Sequence, residues 1–217
     1  MIQGVIFDMD GLLLDSERLY FDAYRRTRQA LDLPEDDALF LQMVGTNNRH
    51  GRTILQDGLN GDVALTTFEA HWAETCATAI ADGIPVKQGV QELLTALAAQ
   101  NTAFAIATSS NTQKAWKHLA EAKLDHHFET LIGGDQVENS KPAPDIYLRA
   151  CAALDLAPQT CAAFEDSENG VRAAHAAGLI TVQIPDLKHP SDALKQLNHV
   201  IAPDLMAGAR QIGLIRI

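Results

Sequence analysis

The sequence has few cysteines, and their arrangement does not build a site. Cys76, Cys151 and Cys161 are odd in number and far apart, and none of them belongs to a CxxC pair. This pattern speaks against a disulfide framework and against a zinc site, and it predicts three free thiols that are buried like small apolar side chains.

The sequence also lacks a long hydrophobic run. No apolar stretch reaches 18 residues, and the first residues do not show a basic segment followed by an apolar one. We therefore expect neither a membrane-spanning helix nor a secretory leader, and the sequence predicts a cytoplasmic protein without a membrane partner.

Positive charge is scarce. Lys and Arg total 17 against 28 Asp and Glu, which gives a formal net charge of -11. Nucleic-acid binding needs a basic face, so no nucleic-acid partner is expected. The charge favours a soluble protein, and because nothing in the sequence demands a partner chain, a monomer is predicted. An anionic substrate must be attracted by local groups, since the overall field is negative.

Apolar residues are plentiful, at 47% of 217 residues, which is enough for one large domain with an insertion. Short apolar runs alternate with stretches of helical periodicity in most of the chain. The predicted strands are residues 5–7, 103–107, 130–132, 161–164, 180–184 and 199–201. Strands that alternate with helices predict an α/β protein with a doubly wound, parallel, Rossmann-like sheet.

One part of the chain departs from this alternation. No strand-like run occurs between Gly11 and Gly83, and the periodic segments there are helical, with Phe68 and Trp72 on one apolar face. The sequence therefore predicts an all-helical block, residues 16–82, inserted into an α/β core of residues 1–15 and 83–217.

Two carboxylates follow the first strand directly. Asp8 and Asp10 lie just past its carboxyl end, where open α/β sheets place their ligand crevice. Residues two apart on a strand point to the same side, and two anions at such range would attract a cation. The alternative is a simple turn, because Asp and Gly are common turn residues.

Other strand ends carry complementary polar groups. Thr108 and Ser109 follow the second strand, Glu165 and Asp166 follow a later one, and Lys141 precedes a proline-rich turn. The carboxyl ends of parallel strands meet at one edge of the sheet. Carboxylates for a hard cation, hydroxyl and backbone donors for an oxyanion, and a lysine for the remaining negative charge together indicate phosphoryl chemistry.

Four segments in this order resemble the motifs of the haloacid dehalogenase-like hydrolases. They are Asp8-Met9-Asp10-Gly11, Thr108-Ser109-Ser110, Ser140-Lys141-Pro142-Ala143-Pro144-Asp145 and Phe164-Glu165-Asp166-Ser167. The resemblance spans nearly the whole chain. It is greatest to the beta-phosphoglucomutase-like branch of sugar-phosphate phosphatases and mutases, whose helical cap lies between the first two motifs.

The resemblance implies a role for each of three catalytic residues. Asp8 would attack phosphorus and form an aspartyl-phosphate. Asp10 would protonate the leaving alkoxide and then deprotonate the water that cleaves the intermediate, because each step leaves it in the state that the next requires. Lys141 would neutralise the charge that repels a carboxylate nucleophile.

The resemblance also implies a cofactor, Mg²⁺, and a phosphate site. The metal would be held by the carboxylates of Asp8 and Asp166 and by the backbone carbonyl of Asp10. Glu165 would either assist as a fourth ligand or serve as a structural group. Thr108 and the backbone N–H of Ser109 would bind the phosphate oxygens.

Substrate choice is expected to lie in the cap, which would close over the crevice about residues 12–15 and 82–85. Its candidate residues are Glu17, Tyr20, Asn47, Asn48, Arg49, His50 and Arg52. Among these, Asn48 and Arg49 are predicted to bind the leaving group of a small phosphorylated metabolite. They could equally be helix-capping and surface residues.

The expected activity is hydrolysis of a small phosphomonoester, a sugar phosphate. A beta-phosphoglucomutase-like sugar phosphomutase is the main alternative, because the mutases of this branch also resemble this chain closely. Those mutases carry a histidine in the first helix of the cap where this sequence has Tyr20, and this difference favours hydrolysis. Dehalogenation is disfavoured because those relatives lack an aspartate at the position of Asp10. A non-catalytic phosphometabolite-binding protein would be favoured by a broken motif, yet Asp8, Lys141 and Asp166 are all present.

Overall fold

The computed structural model describes residues 1–46 and 48–215, and six parallel strands form its one sheet. The strands are β1 (Gly4–Phe7), β2 (Ala103–Ala107), β3 (Leu131–Ile132), β4 (Cys161–Glu165), β5 (Ile180–Gln183) and β6 (Val200–Ile201). Their spatial order is β3-β2-β1-β4-β5-β6, with β1 hydrogen-bonded to β2 on one side and to β4 on the other. The predicted Rossmann-like sheet is confirmed.

Helices cover both faces of this sheet. They are α5 (Val90–Ala99), α6 (Thr112–Glu121), α7 (Asp145–Ala153), α8 (Glu168–Ala176), α9 (Asp192–Lys195) and α10 (Leu205–Gln211). Phe7 of β1 belongs to the core cluster on one face, while its neighbour Ile6 belongs to the cluster on the other. Successive side chains of a strand point to opposite faces, so a strand buried on both sides is continuously apolar.

Four helices lie between β1 and α5, and we call them the helical insert. They are α1 (Ser16–Ala30), α2 (Asp37–Met43), α3 (Asn48–Gly58) and α4 (Leu65–Ala81). Tyr24, Phe40 and Phe68 are buried in the insert's own core cluster, and Trp72 packs against it. Among the described residues of this region no strand occurs, as the sequence predicts.

The chain enters and leaves the insert through two adjacent segments. The backbone N–H of Asp15 donates to the carbonyl of Pro85 (2.8 Å), and the N–H of Lys87 donates to the carbonyl of Leu13 (2.9 Å). Asp15 occupies the position before α1 but makes no side-chain cap; its carboxylate lies 3.4 Å from the Lys87 ammonium instead. The two connections are thus tied to each other by backbone hydrogen bonds and by an ion pair.

The two tryptophans belong to different parts of the molecule. Trp72 packs against the insert's cluster and donates from its indole nitrogen to the carbonyl of Tyr20 (3.2 Å). Trp116 lies on α6 and packs against the cluster on one face of the sheet. The helical insert and the α/β core therefore contain one tryptophan each.

The polar residue His118 lies on α6. Its side chain is buried, because it lies on the same face of α6 as Ala115 and Leu119, which pack into the sheet's cluster. All three cysteines are free; Cys151 and Cys161 are buried, as predicted, whereas Cys76 is half-buried. In the described part of the chain, no helix has the length and apolarity to cross a membrane.

Candidate active site

The predicted polar residues meet at one edge of the sheet. Asp8 follows β1, Thr108 follows β2, and Glu165 ends β4 with Asp166 directly after it. Because β1 lies between β2 and β4, the three strand ends are neighbours. The edge is the crevice that the carboxyl ends of a doubly wound sheet form.

Lys141 is buried at this edge and makes three hydrogen bonds. Its ammonium donates to Asp8 Oδ1 (2.5 Å), to Glu165 Oε1 (2.6 Å) and to the backbone carbonyl of Ala107 (2.9 Å). Burial acts to lower the pKa of Lys141, but the carboxylates of Asp8 and Glu165 outweigh it and raise the pKa above its usual value. The lysine is therefore a fixed positive charge against Asp8.

Three buried carboxyl groups surround this one ammonium. Ligand atoms of Asp8, Glu165 and Asp166 all lie within 4.8 Å of one another. Burial raises the pKa of Asp8 to about 8 although Lys141 opposes the shift, and burial followed by the charge of Asp8 raises the pKa of Asp166 well above its ordinary value. Three carboxyl groups stand against the one ammonium of Lys141 and offer oxygen ligands, so the residues of the cluster fit a hard divalent cation.

Glu165 has no exposed surface and each of its oxygens is hydrogen-bonded. Oε1 accepts from Lys141 and from the hydroxyl of Tyr147 (2.6 Å), while Oε2 accepts from the hydroxyl (3.1 Å) and the N–H (3.3 Å) of Ser167. Gly170 lies so close that a Cβ there would overlap the carboxylate. Glu165 thus holds Lys141 in place. No motif in the sequence pointed to Tyr147 or Gly170 as neighbours of this carboxylate.

Asp10 is held by two hydroxyl groups. Ser16 donates to its Oδ1 (2.9 Å) and Ser110 donates to its Oδ2 (2.9 Å). Ser16 begins α1 of the insert, whereas Ser110 follows β2, so the two sides of the crevice both contact this carboxylate. Neither serine was selected from the sequence, although Ser110 stands within one of the quoted motifs.

Thr108 and Ser109 stand where the phosphate site was predicted, directly after β2. Thr108 is buried and its hydroxyl accepts from the N–H of Ser110 (3.1 Å), which shapes the turn. Ser109 is exposed at the turn's surface. The structure therefore brings one hydroxyl and an exposed backbone segment to the strand end next to Asp8.

A cavity of about 650 Å³ lies between the insert and the core. Asp10, Ser110 and Lys114 line it from the core side, and Glu17 and Tyr20 of α1 line it from the insert, together with apolar residues. Asp10 thus faces a space that is large enough for a small metabolite.

Glu17 also lines a second, smaller cavity of about 310 Å³, which reaches Asp166. One oxygen of Glu17 is buried without a hydrogen-bond partner among the described residues. Burial, and then the charges of Asp186 and Asp10, raise the pKa of Glu17 to about 7. This unpaired oxygen can hydrogen-bond to a group in the crevice, as an acceptor when the carboxyl is ionised and as a donor when it is protonated.

One of the candidate residues of the cap faces the first cavity from α3. Arg52 lines this cavity and pairs with Glu69 through two contacts (2.7 and 3.1 Å). Arg49 is exposed and is not among the described residues that line either cavity. Asn47 and the side chain of Asn48 lie outside the residues that the structure describes.

Two side chains of the core contact the loop between α2 and α3. The ammonium of Lys188 donates to the carbonyl of Val44 (2.6 Å), and the amide of Asn169 donates to the carbonyl of Gly45 (2.7 Å). Asn169 therefore does not cap α8; that cap is Ser167, whose hydroxyl accepts from the N–H of Gly170 (3.1 Å).

Comparison with known proteins gives a consistent result. Residues 2–178 match the family model of the haloacid dehalogenase-like hydrolases. A phosphorylated carbohydrates phosphatase from Thermotoga maritima is 35% identical over 178 residues, 82% of this chain and 82% of that protein.

Two solved structures share the fold. A Thermotoga maritima protein described as a candidate beta-phosphoglucomutase superposes with a TM-score of 0.83, at 30% identity, over 99% of this chain and 100% of that one. The structure of CbbY from Rhodobacter sphaeroides in complex with phosphate gives a TM-score of 0.72, at 26% identity, over 98% of this chain and 97% of that one. The fold, the acid and lysine cluster at the strand ends and these matches place the chain in the haloacid dehalogenase-like hydrolase family.

Proposed function

We propose that the protein is a magnesium-dependent phosphatase that hydrolyses a small phosphomonoester, a sugar phosphate, through an aspartyl-phosphate. The contact between Lys141 and Asp8 carries this proposal, because it places a carboxylate nucleophile beside a fixed positive charge. The similarity to a phosphatase of phosphorylated carbohydrates supports the substrate class.

In the first step, an oxygen of Asp8 attacks phosphorus, and the bond from phosphorus to the sugar oxygen breaks. Lys141 binds the charge shared by nucleophile and phosphoryl group, while Thr108 and the N–H of Ser109 bind phosphoryl oxygens. The leaving alkoxide takes a proton from Asp10, which faces the cavity that would hold the sugar. The products are the phosphorylated Asp8 and a free alcohol.

In the second step, water attacks phosphorus and the bond to Asp8 breaks. Asp10, now a carboxylate, takes the proton of this water, and its hydrogen bonds from Ser16 and Ser110 keep it pointed at the cavity. Inorganic phosphate leaves, and Asp8 and Asp10 are both restored. Every proton taken in one step is returned in the other.

The proposed cofactor is Mg²⁺. The carboxylates of Asp8 and Asp166 and the backbone carbonyl of Asp10 would hold it, and Glu165 lies next to these ligands. When bound, it would supply positive charge for the phosphoryl oxygens and keep the carboxyl of Asp8 ionised. The support is the shortage of positive charge in this buried cluster.

We further propose that residues 16–82 act as a cap on a core of residues 1–15 and 83–217. The cavity between the two parts, with Glu17 and Tyr20 on the insert side, supports this division. Asn48 and Arg49 remain proposed contacts of the leaving group, and Arg52 joins them because it lines the cavity. A monomeric state and a cytoplasmic location stay predictions of the sequence.

The test is phosphate release from a panel of sugar phosphates and other phosphomonoesters, with magnesium or with excess chelator. We expect release that requires magnesium and is lost, by more than about a thousandfold, in Asp8→Asn, because the nucleophile is gone. Asp192→Asn, at an exposed position on α9, is the matched control and should retain full activity.

Two outcomes would contradict the proposal. Conversion of beta-glucose 1-phosphate to glucose 6-phosphate without phosphate release would establish a phosphomutase. This is the second candidate function, because the similar structure from Thermotoga maritima is described as a candidate beta-phosphoglucomutase. No turnover of any ester by a folded protein that still binds phosphate would establish a non-catalytic binding protein.

A further inference from the structure

Tyr147 and Lys141 hold the same oxygen of Glu165. The hydroxyl of Tyr147 lies 2.6 Å from Glu165 Oε1, and the Lys141 ammonium lies 2.6 Å from that atom. The lysine also lies 5.2 Å from the centre of the Tyr147 ring. All three side chains are buried, so water does not compete for these contacts.

The local sequence explains why the two residues meet. Lys141 precedes a short turn, and α7 begins at Asp145, so Tyr147 lies in the first turn of the helix that follows the lysine. This helix packs against β1, β2 and β3, which carries Tyr147 under the carboxyl end of β4. One segment therefore supplies both the cation and the hydroxyl for Glu165.

The direction of each hydrogen bond is set by chemistry. An ammonium can only donate, so Glu165 Oε1 is an acceptor, and Tyr147 must donate its single proton to it. Burial, followed by the charges of Glu165 and Asp8, raises the pKa of Tyr147 well above its usual value, so the proton stays on the tyrosine. The hydroxyl shares Oε1 with the ammonium and limits how strongly Glu165 pulls on Lys141.

The position of Lys141 is a balance between two carboxylates. Its ammonium lies between Asp8 Oδ1 and Glu165 Oε1, at 2.5 and 2.6 Å. A Glu165 oxygen that lost the tyrosine's proton would attract the ammonium more strongly and draw it from Asp8. The charge available to the attacking carboxylate and to the phosphoryl group would fall.

We infer that Tyr147 is a positioning residue of the reaction, which acts through Glu165 to keep the ammonium of Lys141 against Asp8. It does not touch the substrate or the reacting atoms. The inference rests on the proposed function, because it assigns Tyr147 to the step in which Asp8 attacks phosphorus.

The experiment is steady-state kinetics of Tyr147→Phe at saturating magnesium, with the best phosphomonoester that the wild-type protein hydrolyses. The substitution keeps the ring and removes one hydroxyl. We expect kcat per folded protein to fall about tenfold, with KM changed by less than about twofold, because the substrate contacts stay in place.

Tyr24→Phe is the matched control. Tyr24 is equally buried, and its hydroxyl is bound to the carbonyl of Asp36 (3.0 Å) and to Arg28 (3.0 Å) inside the insert. Loss of this hydroxyl should lower the melting temperature and leave kcat unchanged. A loss of activity in both variants would show a general effect of removing a buried hydroxyl and would overturn the inference.

A mutant cycle with Glu165→Gln tests the route. If Tyr147 acts through Glu165, then Tyr147→Phe should have less than about a twofold effect in the Glu165→Gln background. Equal effects in both backgrounds would overturn the inference. A Tyr147→Phe variant whose magnesium requirement changes while its kcat does not would also overturn it.

Two further outcomes would count against Tyr147 alone. They are a kcat of Tyr147→Phe within about twofold of the wild-type value, and failure of this variant to fold under conditions where Tyr24→Phe folds. An inactive wild-type protein would instead overturn the proposed function itself, so the two failures are distinguishable.

Discussion

Individual residues at this site are fixed before a substrate arrives. Each of the three ammonium protons of Lys141 has an acceptor in the protein, namely Asp8, Glu165 and the carbonyl of Ala107. A bound phosphoryl group must share these contacts with Asp8. The orientation of the charge is therefore a property of the folded chain and needs no rearrangement during the reaction.

Gly170 offers a test of this rigidity. Gly→Ala inside a helix ordinarily stabilises a protein by roughly 0.5–1 kcal/mol, but a Cβ at Gly170 would overlap the Glu165 carboxylate. We expect Gly170→Ala to lower both the melting temperature and kcat, as measured by thermal unfolding and phosphate release.

The control for this substitution is Gly51→Ala on α3. Among the described residues, a Cβ at Gly51 would meet only the Thr46 hydroxyl closely, at 3.1 Å, so that variant should melt within about 2 °C of the wild type or above it. A Gly170→Ala variant that is as stable and active as the wild type would show that Glu165 has room to move.

Sequence reasoning found the charged residues of the site and missed several neutral partners. Asp8 and Asp166 follow apolar strands, so their place at the sheet edge could be predicted from the fold class. The hydroxyl of Tyr147 binds Glu165, and those of Ser16 and Ser110 bind Asp10, through hydrogen bonds between separate elements. No periodicity or spacing within one element records such a contact, so only the three-dimensional structure shows it.

At the scale of elements, the central strands were predictable because β1 and β4 are buried on both faces and are mainly apolar. All four residues of β1 and all five of β4 are buried. Helix ends are less predictable: Asn169 lies in the first turn of α8, next to the start that Ser167 caps, yet its side chain reaches the insert. A polar side chain near the start of a helix can hydrogen-bond either to the local backbone or to a distant segment. The sequence alone does not show which of these two hydrogen bonds forms.

The contacts that Lys188 and Asn169 make with the loop after α2 provide the prediction at this scale. They join the core to the insert beside the second cavity. An insert that closes over the substrate would use these contacts. Lys188→Met combined with Asn169→Ala should therefore raise KM about three- to tenfold, because one or two hydrogen bonds that support the closed form are lost. Initial rates over a range of substrate concentrations measure this.

Lys195→Met is the matched control, since Lys195 lies on α9 and pairs only with the exposed Asp192 among the partners that the described structure gives it. Its KM should equal that of the wild type. An unchanged KM in the double variant would mean that the contacts do not support the closed form.

At the scale of the whole molecule, buried acids make stability depend on pH. The pKa of Asp8 rises from 3.8 to about 8 on folding, and that of Asp166 also rises, so the folded chain holds protons that the unfolded chain releases. The stability that Asp8 contributes is complete below about pH 4 and is lost as pH rises to about 8, and Asp166 acts in the same direction. His118, His127 and His199 act in the opposite sense, because burial lowers their pKa values.

The prediction isolates the acids by difference. In excess chelator, the melting temperature of the wild type minus that of Asp8→Asn should fall between pH 5 and pH 8.5, by at least about 2–4 °C, since a shift of one pKa unit is worth about 1.4 kcal/mol. Added magnesium should remove most of this fall at pH 8. A difference that stays constant with pH would show that Asp8 keeps an ordinary pKa in the folded protein.

The arrangement of the two tryptophans has a practical consequence. Trp72 reports on the aromatic cluster of the insert, and Trp116 reports on one face of the sheet. Trp116→Phe leaves Trp72 of the insert as the one tryptophan, and Trp72→Phe leaves Trp116 of the core. The tryptophan emission of each variant during denaturation therefore shows whether the insert and the core unfold together or one after the other, without any attached dye.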